Sequence, residues 1–363
     1  MIIPVRDEAK YLTATLEALA YQTHCSGQPF DRACYEIIVL ANNCRDDSAE
    51  VVRRFASRHP TLALHVVEMT LGSNEAYVGR VRQLLMDEGY HRLASLGRGR
   101  AVIASTDGDT RVAPTWIARI LDEIAHGADA VGGRILSDDT DRMGLDPLTR
   151  SYYLRDMGYQ YLVAELESRL DMDPYDQWPR HYQHFGASLA LTAEMYARVG
   201  GLPAVRTPED VALYHALRRF DARFRHSLQV RVTTSVRRKG RAHLGLAVRL
   251  SEWEAMGHQR QPVLVESPAA LEAWLRLRSR LRKLWHTRDG QPRQGQVALV
   301  ATQLRVAPEW LSEQLSLMQP FGLLLERVGQ HRLTASLGEE PRVEIAEAIR
   351  ELRVRLNVLR SSS

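Results

Sequence analysis

Short apolar runs alternate with amphipathic stretches through the first half of the chain. Glu36-Ile37-Ile38-Val39-Leu40-Ala41 is apolar at both odd and even positions, the pattern of a strand buried on both faces of a sheet. Met1 to Val5, Ala63 to Val67, Ala101 to Ser105, Ala128 to Leu136 and Leu228 to Thr234 also read as strands. Glu8 to Gln22 has helical periodicity, with Leu12, Leu16 and Leu19 on one face. Asp46 to Arg58 reads as a helix capped by Asp46 or Asp47. Asn74 to Tyr90 follows, then Pro114 to Ala125 with proline near its first turn. This rhythm predicts an α/β fold whose mostly parallel, doubly wound sheet is covered by helices.

The second half changes character. Arg142 to Leu170 reads as one long helical stretch, and Asp171 to Phe185 as an irregular segment rich in Asp, His, Tyr and Trp. Thr192 to Val199 is a helix stopped by Gly200-Gly201, and Pro208 to Phe220 is another. Beyond Pro262 the pattern predicts helices only: Pro268 to Trp285, Val297 to Leu317 and Pro341 to Leu359. The division expected is a catalytic domain over residues 1–260 and a helical appendage over residues 261–363.

Composition narrows the classes. A hydrophobic share of 45% in 363 residues is ample for a large core, and a net charge of +4 gives no reason to expect nucleic acid as a partner. Three cysteines, Cys25, Cys34 and Cys44, without C-x-x-C spacing argue against a disulfide framework or a zinc site. No apolar run approaches the ~18–20 residues of a membrane span. The expectation is a cytoplasmic protein.

The chemistry concentrates at Val102-Ile103-Ala104-Ser105-Thr106-Asp107-Gly108-Asp109. A strand ends in two carboxylates, at the sheet edge where open α/β sheets bind ligands. Carboxylates there suit a hard divalent cation, and the cation suits a diphosphate. Gly108 lets a ligand approach the backbone. Five further segments stand in order around it: Ile3-Pro4-Val5-Arg6-Asp7-Glu8, Val39-Leu40-Ala41-Asn42-Asn43-Cys44-Arg45-Asp46, Gly79-Arg80-Val81-Arg82, Phe185-Gly186-Ala187-Ser188, and Gly200-Gly201 with Pro208-Glu209-Asp210. Together these resemble a family 2 glycosyltransferase of the GT-A fold over roughly residues 1–245. The resemblance implies a nucleotide-diphospho-sugar donor, Mg²⁺ or Mn²⁺, and an acceptor hydroxyl, with inversion.

The resemblance also assigns residues. Asp109 and Asp107 hold the metal, with His243, from the run Thr234 to His243, completing its shell; His226 is the fallback. Pro4, Arg6, Glu8, Asn42, Asn43, Asp46, Arg82, Asp107 and Gly108 line the nucleotide site, and Arg238 and Arg241 meet the diphosphate. Asp210 is the base for the acceptor hydroxyl, with Glu209 the alternative. Each has a plainer reading: Glu8, Asp46, Glu209 and Asp210 as helix N-terminal carboxylates, Arg82 as a solvated helix arginine, His243 as an exposed loop histidine. The family often ends its second strand in aspartate; Asn42 and Asn43 stand here, so the base stays open. In Trp178 to His184, aromatics would stack on a sugar, and Arg180 or the histidines would bind an acidic acceptor. The arginines from Arg276 to Arg282 would rest on an anionic surface, or the appendage would dock or join two copies. The rival readings are a nucleotidyltransferase, disfavoured by the glycine-free loop after Val5, and a sugar-nucleotide-binding scaffold without turnover.

Overall fold

The computed structural model describes residues 1–206, 208–236, 245–259, 261–287, 294–334 and 341–361. In chain order the first elements are β1 (Ile2–Val5), α1 (Ala9–Ala20), β2 (Glu36–Asn42), α2 (Ser48–Arg58), β3 (Ala63–Met69), α3 (Val78–Ser95), β4 (Val102–Ser105), β5 (Thr110–Val112), α4 (Trp116–Ala125) and β6 (Ala130–Ser137). Then come α5 (Asp139–Met143), α6 (Pro147–Leu170), β7 (Leu189–Thr192), α7 (Ala193–Arg198), α8 (Glu209–Arg219) and β8 (Phe224–Thr234). The last are α9 (Leu246–His258), β9 (Leu264–Glu266), α10 (Pro268–His286), α11 (Gln294–Leu304), α12 (Pro308–Ser316), α13 (Phe321–Thr334), β10 (Arg342–Glu344) and α14 (Ile345–Ser361).

The chain forms two compact units. The first comprises Met1–Arg150, Gln183–Leu217 and Ala222–Ala255. Its eight-stranded sheet runs β3-β2-β1-β4-β7-β6-β8-β5. Strands β1 to β4 are parallel, β7 is antiparallel to both β4 and β6, and β5 is antiparallel to β8. The sheet is therefore mixed rather than mostly parallel; the four-residue β7 and three-residue β5 were too short to carry a period of their own.

Alternation along β2 divides the core. Ile37 and Val39 face a cluster with Leu12, Leu16 and Leu19 of α1, while Ile38 and Leu40 face one with Val81, Leu85 and Met86 of α3. That is the period-two geometry of a strand buried on both faces. The chain leaves β1 for β2 on one side and reaches β4 on the other, so the order reverses between β1 and β4. Ligands of open α/β sheets bind outside the carboxyl ends at such a point.

The second unit comprises Ser151–Tyr182, Arg218–Asp221 and Met256–Ser363. Leu281, Val300, Leu311 and Leu324 centre one cluster among α10 to α13; Leu166, Leu275, Leu352 and Leu356 centre another among α6, α10 and α14. The expectation of helices alone beyond Pro262 is corrected by the antiparallel pair β9–β10. Three-residue strands show no alternation, so the sequence concealed them. The stretch expected as one helix from Val297 to Leu317 breaks between α11 and α12, where Arg305 takes a left-handed φ of 59° and Pro308 opens α12. Two arginines of the basic stripe of α10 turn inward: Asp171, fully buried, accepts from Arg278 and Arg282, and Arg278 also reaches Glu167, while the half-exposed Arg276 pairs with Glu272. Those arginines are engaged within the unit. Among the described residues no helix is long and apolar enough to cross a membrane.

Candidate active site

The loops leaving β1 and β2 lock into each other. Asp7 and Asn43, the turning residues, both adopt left-handed backbone, with φ of 52° and 50°. Side chains of such residues hydrogen-bond locally and so tolerate that region. Asp7 Oδ1 accepts from the Arg45 N–H (2.5 Å) and the Asp46 N–H (3.3 Å). Asp46 accepts in turn from the Ala9 N–H (2.9 Å), which opens α1, and from the Ser48 N–H (3.0 Å), which opens α2. One carboxylate thus serves two helix N-termini, and Asp47, at the cap position of α2, makes no side-chain cap bond. Asn43 is clamped to the chain at Leu71: its amide donates to Leu71 O and accepts from the Leu71 N–H, both at 3.0 Å. Asn42 is buried and its Oδ1 has no hydrogen-bond partner among the described residues. Arg6 is exposed, donating to Ala76 O at 3.2 Å, and Pro4 lies within β1 opposite Leu40.

Asp107, Gly108 and Asp109 lie across from these loops. Gly108 is packed so closely that an added Cβ would lie 3.1 Å from Glu8 Cγ and 3.2 Å from Val5 Cγ2. Thr15 Oγ1 donates to Gly108 O at 3.0 Å, fixing the turn to α1. The β1 and β4 loops therefore meet at the switch point, with Glu8 buried beside the turn. Asp109 Oδ2 accepts from Ser235 Oγ at 2.5 Å, which brings the end of β8 to the same place.

Arg82 is the hub of the site. Its side chain is 4% exposed, within α3. Nη2 donates to Asp107 Oδ1 (2.9 Å), Nε to Glu209 Oε1 (3.0 Å), and Nη1 to Gly186 O (3.2 Å) and Ser105 Oγ. The neighbouring Asp210 accepts through Oδ2 from the Gly186 N–H at 2.8 Å. Burial disfavours the charge on Arg82, but Asp107, Glu209 and Asp210 outweigh it and hold the guanidinium above its ordinary value. Burial pushes the Glu209 carboxyl up, against the pull of Arg82. Two glycines make room. A Cβ on Gly186 would lie 2.4 Å from Arg82 Cζ, and one on Gly79 would lie 2.5 Å from Val205 O and 3.2 Å from Glu209 Cβ. Arg82 is thus neither a solvated helix arginine nor turned outward; it joins Asp107 to the start of α8.

Arg238, Arg241 and His243 lie outside the described residues. His226 is buried among the rings of Tyr214, Phe224 and His184. Its β6 neighbour Gly132 is five residues from Ser137, which pairs with Thr234 at the Asp109 end of β8, so roughly 17 Å of strand intervenes. Arg180, expected to meet an acceptor, is buried and pairs with Asp176 and Glu167. Asp7, Cys44 and Asp46 bring ligand atoms within 4.8 Å of one another, but the two carboxylates are engaged by backbone N–H groups and read as the brace of the two loops. Sequence reasoning did not single out Ser105 and Ser235; lone serines next to recognised motifs carry no signal until the fold aims them.

Asp107 and Asp109 supply hard oxygen donors on one turn, the chemistry Mg²⁺ or Mn²⁺ accepts. Residues 1–173 match Glycosyl transferase family 2. Glycosyltransferase AglE of Haloferax volcanii is 27% identical over 136 residues, which are 37% of this chain and 38% of that protein. The alignment thus spans well under half of the curated relative's length. Among solved structures, a Pyrobaculum calidifontis mannosyltransferase, PcManGT, in complex with GDP-Man and Mn²⁺ aligns over 93% of this chain and 87% of its own, at 16% identity and a TM-score of 0.43. GalNAc-T7 with UDP, GalNAc and Mn²⁺ aligns over 86% and 55%, at 12% identity and a TM-score of 0.44. The match over residues 1–173, just under half of the chain, makes this part similar to glycosyl transferase family 2.

Proposed function

We propose that the chain transfers a sugar from a nucleoside diphosphate to an acceptor hydroxyl, with inversion, using Mg²⁺ or Mn²⁺ held by Asp107 and Asp109. The observation that carries this reading is the Arg82 hub, which ties a carboxylate of the Asp-x-Asp turn to the acidic start of α8. Donor-side and acceptor-side carboxylates then share one rigid frame, as a displacement between two bound substrates requires. When bound, the cation supplies charge neutralisation for the departing diphosphate. Asp210, half-buried and oriented by the Gly186 N–H, takes the proton of the acceptor hydroxyl. Glu209, the other carboxylate of the pair, is engaged by Arg82.

Asn42, Asn43, Arg6, Glu8 and Asp46 belong in this reading to the walls of the nucleotide site, and Arg238, Arg241 and His243 keep their proposed roles toward diphosphate and metal. Residues 1–260 carry the transfer. We assign residues 261–363 to acceptor recognition and self-association; Val354 and Val358, exposed one turn apart on α14, support the latter. Three free cysteines, two of them exposed, support a reducing compartment, the cytoplasm.

The test is thermal stability against a panel of nucleoside diphosphates and sugar nucleotides, with Mn²⁺ and with EDTA. A ligand that binds the native state raises the melting temperature by mass action. The expected result is a rise with one base that requires Mn²⁺, and donor turnover that Asp210→Asn abolishes. No rise with any nucleotide overturns the reading. Binding with no turnover, unchanged by Asp210→Asn, would identify a scaffold instead.

A further inference from the structure

A buried arginine 2.9 Å from a carboxylate meant for a cation is a contradiction that the site must resolve. Left alone, the Arg82 charge would repel the metal from Asp107. Glu209 meets the same guanidinium through Nε at 3.0 Å, with its side chain only 5% exposed. At such short separations in a water-poor interior, opposite charges interact several-fold more strongly than at the surface. We propose that Glu209 is a positioning residue whose charge balances Arg82, so that Asp107 remains available to a divalent cation. The inference rests on the metal reading above and deepens it.

The packing supports this role over that of a proton acceptor. Glu209 is buried against Gly79, whose missing side chain lets α3 approach the start of α8. Arg82 is also held by Gly186, where a side chain would strike the guanidinium. Arg82 is thus kept within reach of both carboxylates, and lysine, a point charge without a fork, could not span them.

The experiment is a titration of the full chain with Mn²⁺ alone, followed by loss of the free-ion electron paramagnetic resonance signal. Glu209→Gln keeps the shape and removes the charge, and should weaken Mn²⁺ binding about tenfold, the order expected when one charge at this range is left uncompensated. Glu209→Asp should stay within about twofold of wild type. Adding Arg82→Met to Glu209→Gln removes both charges and should restore affinity to the wild-type level or above. That recovery separates charge balance from a merely structural role, under which the double variant would bind no better than the single one. Unchanged affinity in Glu209→Gln, or no recovery in the double variant, overturns the inference. Should Glu209→Gln fail to fold, the double variant is compared directly with wild type, and weaker binding by it is the overturning result. Absence of Mn²⁺ binding by the wild type overturns the metal reading, and this inference with it.

Discussion

Asn43 joins two requirements in one side chain: a left-handed φ of 50° and a double hydrogen bond to Leu71. Asn43→Ala loses both bonds and keeps the strained backbone, which should cost about 2–3 kcal/mol in urea unfolding. Asn43→Gly relieves the backbone and should cost about 1–2 kcal/mol, so the difference between the two variants isolates the conformational share. The Asp109 carboxylate has a different weight, because it lies half-buried on a turn that Thr15 and Ser235 already hold. Asp109→Asn is expected to abolish Mn²⁺-dependent nucleotide binding and leave the melting temperature of the ligand-free protein within a few degrees of wild type; unfolding of the variant would make the turn structural. At this scale the sequence named Asp107, Asp109, Arg82, Glu209 and Asp210, because each stands in a recognisable local motif. It could not say that Arg82 faces inward, since helical periodicity fixes a face and not the partner that waits there.

Between elements, ion pairs set the register of the helical unit. Asp171 at the end of α6 is fully buried and is held by Arg278 and Arg282, one turn apart on α10. Removing one partner of a buried pair leaves the other charge without compensation, which typically costs about 3–5 kcal/mol. Asp171→Asn should therefore destabilise the chain by that order in denaturant unfolding, while Arg276→Gln, whose side chain is half-exposed, should cost under about 1 kcal/mol. The amphipathic pattern correctly gave α10 and its apolar stripe. It suggested an anionic partner for the arginines only because acidic residues more than a hundred positions away are invisible to a local window.

For the whole molecule, acid should act through a set of paired carboxylates. Arg92 holds Glu36 below the ordinary value; for Glu165 and Asp171 burial acts upward, but Arg360 and Arg169, and Arg282 and Arg278, outweigh it. Folded values below the unfolded ones of 4.5 and 3.8 mean stability that is present above those values and lost as pH falls through the folded ones. The melting temperature should thus be flat from pH 7 to about 5 and fall steeply below pH 4; a rise on acidification would contradict the pairing. Sequence alone determined the strand–helix alternation of the first half, both faces of β2, and the motifs of the candidate site and their order. Those features are written in residues close together in the chain, where periodicity and capping act. Only the tertiary structure decided the short strands β5, β7, β9 and β10, which exist because a neighbour completes their hydrogen bonds. It alone brought Glu209 to Arg82 and Ser235 to Asp109 across more than a hundred residues. Charge balance in a buried site depends on distance in space, which no local pattern of residues encodes.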